Sequence, residues 1–192
     1  MKILLIGNPN VGKSAIFSHL TGVSVTTSNY PGTTVQYAKG YMTYNGKRHD
    51  VIDVPGTYQL NPEAESEKVA ADMIIEGDIL VNVVDSTNLE RNLNLTLQLM
   101  NYGKPMVLVL NMWDDAKHKG IEIDIKKLEK LLKIPVIATN GLTGEGLSIL
   151  PEICINTKPI NKLPELTITQ RWETIGNIIH EVQNLSHRHH TL

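Results

Sequence analysis

One string constrains this chain more than any other: Gly7-Asn8-Pro9-Asn10-Val11-Gly12-Lys13-Ser14. It has the G-x-x-x-x-G-K-S/T spacing of a phosphate-binding loop. An apolar run, Ile3 to Ile6, feeds it, and a helix-like segment, Ala15 to Leu20, leaves it. Its glycines let backbone N–H groups turn inward onto phosphate oxygens, at the positive end of the helix that follows. Lys13 adds a mobile point charge for the outer phosphates, and the Ser14 hydroxyl can ligate Mg²⁺. Four fixed positions at this spacing arise by chance in well under about 1% of chains this long.

Two weaker motifs gain meaning from the first. Asp53-Val54-Pro55-Gly56 closes a strand-like run, Asp50 to Val54, where a second carboxylate could reach the magnesium shell and Gly56 could offer its N–H to a γ-phosphate. Alone it would read as a strand exit with a Pro-Gly turn. Asn111-Met112-Trp113-Asp114 ends another apolar run, Met106 to Leu110. Asp114 can accept two hydrogen bonds from the N1–H and exocyclic amine of guanine. Adenine offers no such donor pair and would leave a desolvated carboxylate unmatched, so such a site discriminates strongly. Alone this motif would be a polar loop after a buried strand. The three in order point to a guanine nucleotide.

At 192 residues and 41% hydrophobic content the chain can bury one sizeable core. A net charge of −2 gives no support for nucleic-acid binding by bulk electrostatics. The lone Cys154 rules out an internal disulfide, fits a reducing compartment and reads as a small buried hydrophobe. No run approaches the about 18 apolar residues of a membrane span, and the N-terminus is no signal peptide.

Strands are expected at 2–7, 35–44, 47–54, 78–85, 105–111 and 134–138, and helices at 13–21, 63–76, 89–101, 124–133 and 146–155. Asn45-Gly46 signals a tight hairpin. The alternation predicts an α/β fold, a doubly wound and mostly parallel six-stranded sheet with one antiparallel edge strand, carrying its site on loops at the carboxyl ends of strands. Residues 156–166, with Pro159 and Pro164, read as a linker. Beyond it, Ile168, Trp172, Ile175, Ile179, Val182 and Leu185 form one helical stripe, with Thr167 and Gln170 as a capping pair. The expectation is a domain over 1–155 and, at 167–192, the start of a truncated helical domain that the linker isolates. The closing Ser186-His187-Arg188-His189-His190 is expected to bind no specific metal.

The order and spacing of these motifs resemble the Era/TrmE branch of small GTPases, and more narrowly the cytoplasmic G domain of ferrous-iron transport protein B. The closer resemblance rests on Gly7 to Ser14, Asn29-Tyr30-Pro31-Gly32-Thr33-Thr34-Val35, Asp53-Val54-Pro55-Gly56-Thr57-Tyr58-Gln59-Leu60 and Asn111 to Asp114. It implies a P-loop GTPase that binds GTP/GDP with Mg²⁺ and hydrolyses GTP slowly, as the regulatory part of a ferrous-iron membrane transporter. The chain would then work at the cytoplasmic face of the cell membrane. Its partners would be the nucleotide and a transmembrane iron-permease portion of the same polypeptide, with no nucleic acid and with self-association a possible further contact.

By this resemblance Lys13, Thr34 and Gly56 act in hydrolysis, and Ser14, Thr34 and Asp53 hold Mg²⁺. Asn10 helps to hold K⁺, and loops 23–35 and 53–67 switch. The implied nucleotide contacts are Gly7, Asn8, Pro9, Asn10, Val11, Gly12, Lys13, Ser14, Ala15, Gly32, Thr33, Thr34, Asp53, Gly56, Asn111, Met112, Asp114, Thr139, Asn140 and Gly141. The base loop departs from the family's Ser-Ala-Lys or Ser-Ala-Leu: here it reads Ala138-Thr139-Asn140-Gly141-Leu142, which predicts faster nucleotide release. Thr57 stands where Ras-like enzymes carry a water-orienting glutamine, so catalysis would rest on cations and backbone amides. Arg48 and Arg91 read as surface residues. The rival is a soluble Era/TrmE-like GTPase of RNA or ribosome maturation, but the chain lacks the basic appendage such a role calls for.

Overall fold

Lys2–Gly7 forms β1, buried from Ile3 onward because helices cover the sheet on both sides. The computed structural model describes residues 1–61 and 63–185. After β1 come α1 (Lys13–Thr21), β2 (Thr26–Asn29), β3 (Gln36–Tyr44), β4 (Lys47–Asp53), α2 (Glu65–Glu76), β5 (Ile79–Asp85) and α3 (Leu89–Met100). The chain continues through β6 (Met106–Asn111), α4 (Trp113–His118), β7 (Ile121–Ile123), α5 (Ile125–Leu132), β8 (Val136–Ala138), α6 (Leu150–Asn156), α7 (Ile168–Val182) and β9 (Gln183–Leu185).

Seven strands form one sheet in the order β2-β3-β4-β1-β5-β6-β8. From β4 to β8 every pairing is parallel, whereas β3 runs antiparallel to both of its neighbours. The mostly parallel sheet is as expected, with one strand more than the six foreseen, so the antiparallel strand lies one place in from the edge. The added strand, β2, is Thr-Thr-Ser-Asn with all four residues exposed, so no apolar alternation marks it. Asn45 and Gly46 take φ of 51° and 75°, the left-handed pair that a two-residue hairpin demands.

Alternate residues of each inner strand serve different faces. Leu4, Ile6, Leu80 and Leu108 pack with α2, α3, α5 and α7, while Ile3, Leu5, Val81 and Val109 pack with α1 and α6. Thr167 and Gln170 form the expected capping box at the start of α7.

The expectation that the prolyl stretch isolates α7 needs correction. Ile175, Ile178 and Val182 are buried in the same core as α3 and α5, because an apolar stripe finds its nearest cover there. Arg171 Nε donates to Asn94 Oδ1 on α3 at 2.6 Å, Lys127 pairs with Glu181 at 2.7 Å, and β9 pairs antiparallel with β7. The histidine-rich string at 186–190 lies outside the described residues. Among the described residues no helix is long and apolar enough to cross a membrane.

Candidate nucleotide-binding site

Loops leaving the carboxyl ends of β1, β4, β6 and β8 converge on one end of the sheet. The first is the phosphate loop. Asn10 and Gly12 adopt φ of 65° and 80°, and a Cβ on Gly12 would sit 2.3 Å from Asn111 Nδ2. Only glycine fits that turn. Asn111, 2% exposed, explains the closeness. Its Nδ2 donates to the Val11 carbonyl at 2.9 Å, and its Oδ1 accepts from the Gly141 N–H at 2.9 Å and the Thr139 hydroxyl at 3.0 Å. Asn111 therefore braces the phosphate loop against the loop after β8, a role its place in the motif did not reveal.

A cavity of about 420 Å³ opens over the phosphate loop, lined by Asn8, Pro9, Asn10, Gly12, Lys13, Ser14 and Gly56. One cation and no carboxylate line it, which suits an anion. Lys13 Nζ donates to the Asp53 carboxylate and, at 2.7 Å, to the Val54 carbonyl. Thr57 donates its N–H to the Gly7 carbonyl at 3.0 Å, which seats the residues after β4 against the phosphate loop. A Cβ on Gly56 would lie 3.2 Å from the Pro9 Cα, so this backbone passes close to the cavity. Asn8 Oδ1 and the Thr57 hydroxyl are buried with no protein partner. With Ser14 and Asp53 beside the cavity, the oxygen donors suit a hard cation such as Mg²⁺.

At the other end Met112, with φ of 57°, turns the chain sharply out of β6, so that Asp114 falls in the first turn of α4. Trp113 N–H donates to the Thr139 carbonyl at 3.2 Å, and Asn140 Nδ2 donates to Asp114 Oδ2 at 3.2 Å. Asn140 Oδ1 in turn accepts the N–H groups of Leu142 and Thr143 at 3.0 and 3.3 Å. A Cβ on Gly141 would meet the Ala15 Cβ at 3.2 Å, so α1 and the loop after β8 touch. The structure thus gathers Gly7 to Ala15, Asp53, Gly56, Asn111, Met112, Asp114 and Thr139 to Gly141.

It does not bring in Gly32, Thr33 and Thr34, none of which lines the cavity. A Tyr30 N–H to Val35 carbonyl bond of 2.8 Å closes their loop, and the Thr33 hydroxyl bonds back to Tyr30 at 2.9 Å. Thr34 is exposed, with its N–H facing Glu65 Oε1 at 3.4 Å. Nothing in the sequence flagged Glu65 as its partner. Arg48 stacks on Tyr41 at 3.8 Å and Arg91 on Tyr58 at 4.6 Å, and neither reaches the cavity.

Residues 1–153 match the family model described as Ferrous iron transport protein B. The Fe(2+) transporter FeoB of Legionella pneumophila is 38% identical over 180 residues, covering 91% of this chain and 24% of that protein. The Fe(2+) transport protein A/Fe(2+) transporter FeoB fusion protein of Porphyromonas gingivalis is 41% identical over 159 residues, covering 81% and 19%. The chain thus spans about a quarter or less of these relatives' length. Among solved structures, the cytosolic domain of L. pneumophila FeoB matches with a TM-score of 0.87 at 30% identity, over 96% of this chain and 100% of that one. The GMPPNP form of the T. maritima FeoB cytosolic domain matches with a TM-score of 0.86 at 29% identity, over 96% and 99%.

Proposed function

The chain belongs to the ferrous iron transport protein B family, and from that premise we propose that it binds Mg-GTP and hydrolyses it slowly to GDP and phosphate. It would do so as the regulatory domain of a ferrous-iron transporter, at the cytoplasmic face of the cell membrane, with a transmembrane permease portion of the same polypeptide as partner. Residues 1–155 are then the nucleotide unit, with 156–166 leading to α7, which packs back on it. The observation that carries the reading is the Asn111 brace, which holds a phosphate cradle and the Asp114–Asn140 pair in one frame.

On this reading Asp114 accepts from the N1–H and amine of guanine, while Thr139 to Gly141 cover the base. Lys13 exchanges its present partners, Asp53 and the Val54 carbonyl, for the outer phosphates. Ser14, Asp53 and Thr34 would hold Mg²⁺, with Thr34 moving in from its position beside Glu65. Bound there, Mg²⁺ supplies positive charge against the charge that develops on the transferring phosphoryl group. Gly56 offers its N–H to that group, and water attacks in line. Thr57 is too short to orient water as a glutamine would. Asn10, exposed at the rim of the cavity, would hold K⁺ beside the phosphates.

Equilibrium binding of GTP, GDP, ATP and XTP tests this assignment. The parent chain should bind both guanine nucleotides and little ATP, and Asp114→Asn should turn preference towards xanthine, whose C2 carbonyl faces the new amide. Unchanged GTP affinity in Asp114→Asn would refute the guanine assignment. In a phosphate-release assay Lys13→Ala should show no turnover.

A further inference from the structure

A second cavity, larger than the one over the phosphate loop, lies elsewhere in the fold. About 650 Å³ of space lies between α3, α5, α7 and the prolyl stretch that passes over them. Its floor includes Leu97, Met100 and Ile178, all buried in the core. Lys133, Lys158 and Lys162, each exposed, also line it, Lys162 being shared with a neighbouring cavity that Glu165 lines. None of the three forms an ion pair among the described residues, and no carboxylate lines the cavity. That is a local excess of positive charge in a chain of net charge −2.

An apolar cleft of this size falls in the range, about 300–1,000 Å³, that encloses small organic ligands, and polar groups at such a mouth select among them. Asn156, Thr157, Asn161 and Thr174 share the cavity's lining, but the side formed by Leu97, Met100 and Ile178 is apolar, and an acyl chain laid along that side is favoured over water. Three lysines that form no ion pair among the described residues line the cavity, and an anion placed near them gains favourable charge interaction. Lysine stems can also lie along the apolar wall while their charged ends stay in water. We propose that this cavity binds an amphipathic carboxylate, with the acyl chain against α3 and α7 and the carboxylate among the three lysines. The site is separate from the nucleotide cavity and does not depend on the reading of that cavity.

Decanoate, below its micelle-forming concentration, is the probe, with decanol as its neutral counterpart. Titration of the full chain followed by methyl NMR should give saturable shifts at Leu97, Met100 and Ile178 with decanoate. Decanol should bind about tenfold more weakly, as expected when favourable charge pairing is lost. The double variant Lys158→Gln, Lys162→Gln should weaken decanoate several-fold, leave decanol unchanged and keep the parent's thermal midpoint, both positions being exposed. Absence of saturable shifts, shifts elsewhere in the chain, equal affinity for the two probes, or undiminished decanoate binding in the folded variant would each overturn the assignment.

Discussion

Asn111, a single buried carboxamide at the end of β6, bonds to three groups on two loops. Replacing it with alanine leaves the Val11 carbonyl, the Thr139 hydroxyl and the Gly141 N–H without their partner. Each unsatisfied buried group costs about 1–3 kcal/mol. Asn111→Ala should therefore lower unfolding stability by about 3 kcal/mol or more in urea titration and weaken GDP binding as well. The motif was legible in the sequence, but the role was not: an asparagine that touches a base and one that braces two loops look alike in one dimension. Asn10 is the opposite case, exposed and left-handed at the cavity rim. Among the described residues Lys13 is the only cation lining that cavity. Hydrolysis should be faster in KCl than in NaCl at equal ionic strength, and Asn10→Ala should erase the difference while GDP affinity stays nearly intact. Equal rates in the two salts for the parent would remove the potassium role.

At the scale of elements, strong local signals were readable. Lys13–Thr21 begins inside the phosphate-loop motif, which ends at Ser14, and the Asn45-Gly46 turn announced the β3–β4 pairing in advance. The elements that escaped notice are short or lack a buried face. α4 has six residues, too few for a 3.6-residue period to show, and it begins inside the Asn111–Asp114 motif. β7 and β9 have three residues each, and only long-range pairing defines them. Resemblance puts Thr34 at the metal, whereas in the structure its N–H faces Glu65 Oε1 at 3.4 Å. The capping pair of α7 was both legible and measurable. Thr167→Ala removes the acceptor for the Gln170 N–H and should cost about 1 kcal/mol, detectable as a lower thermal midpoint.

For the whole molecule, burial of Cys154 in α6 pushes its thiol from 9.0 up to about 12. The folded chain keeps that proton where the unfolded chain loses it. Stability from this group is therefore complete below about pH 9 and falls by about 1.4 kcal/mol per pH unit between 9 and 12. Urea titrations across that window should show the slope, and Cys154→Ala should reduce it, the remainder belonging to other groups such as Tyr102, whose pKa burial also raises. A mostly parallel, helix-covered sheet could be anticipated from the alternation of apolar runs, because a parallel sheet needs a helix between successive strands. The docking of α7 could not, since a prolyl stretch says where regular structure stops and nothing about where the chain returns. That docking has a mechanical consequence. Near one end α7 is fastened to α3 by Arg171 and Asn94, and at the other to α5 and β7 by Glu181 and β9. A beam pinned at two points cannot swivel: a load on Leu185 meets three registered residue pairs in β7, the strand that follows the helix bearing Asp114. α7 is a strut, and torque along it passes first to the side of the sheet that carries Asp114.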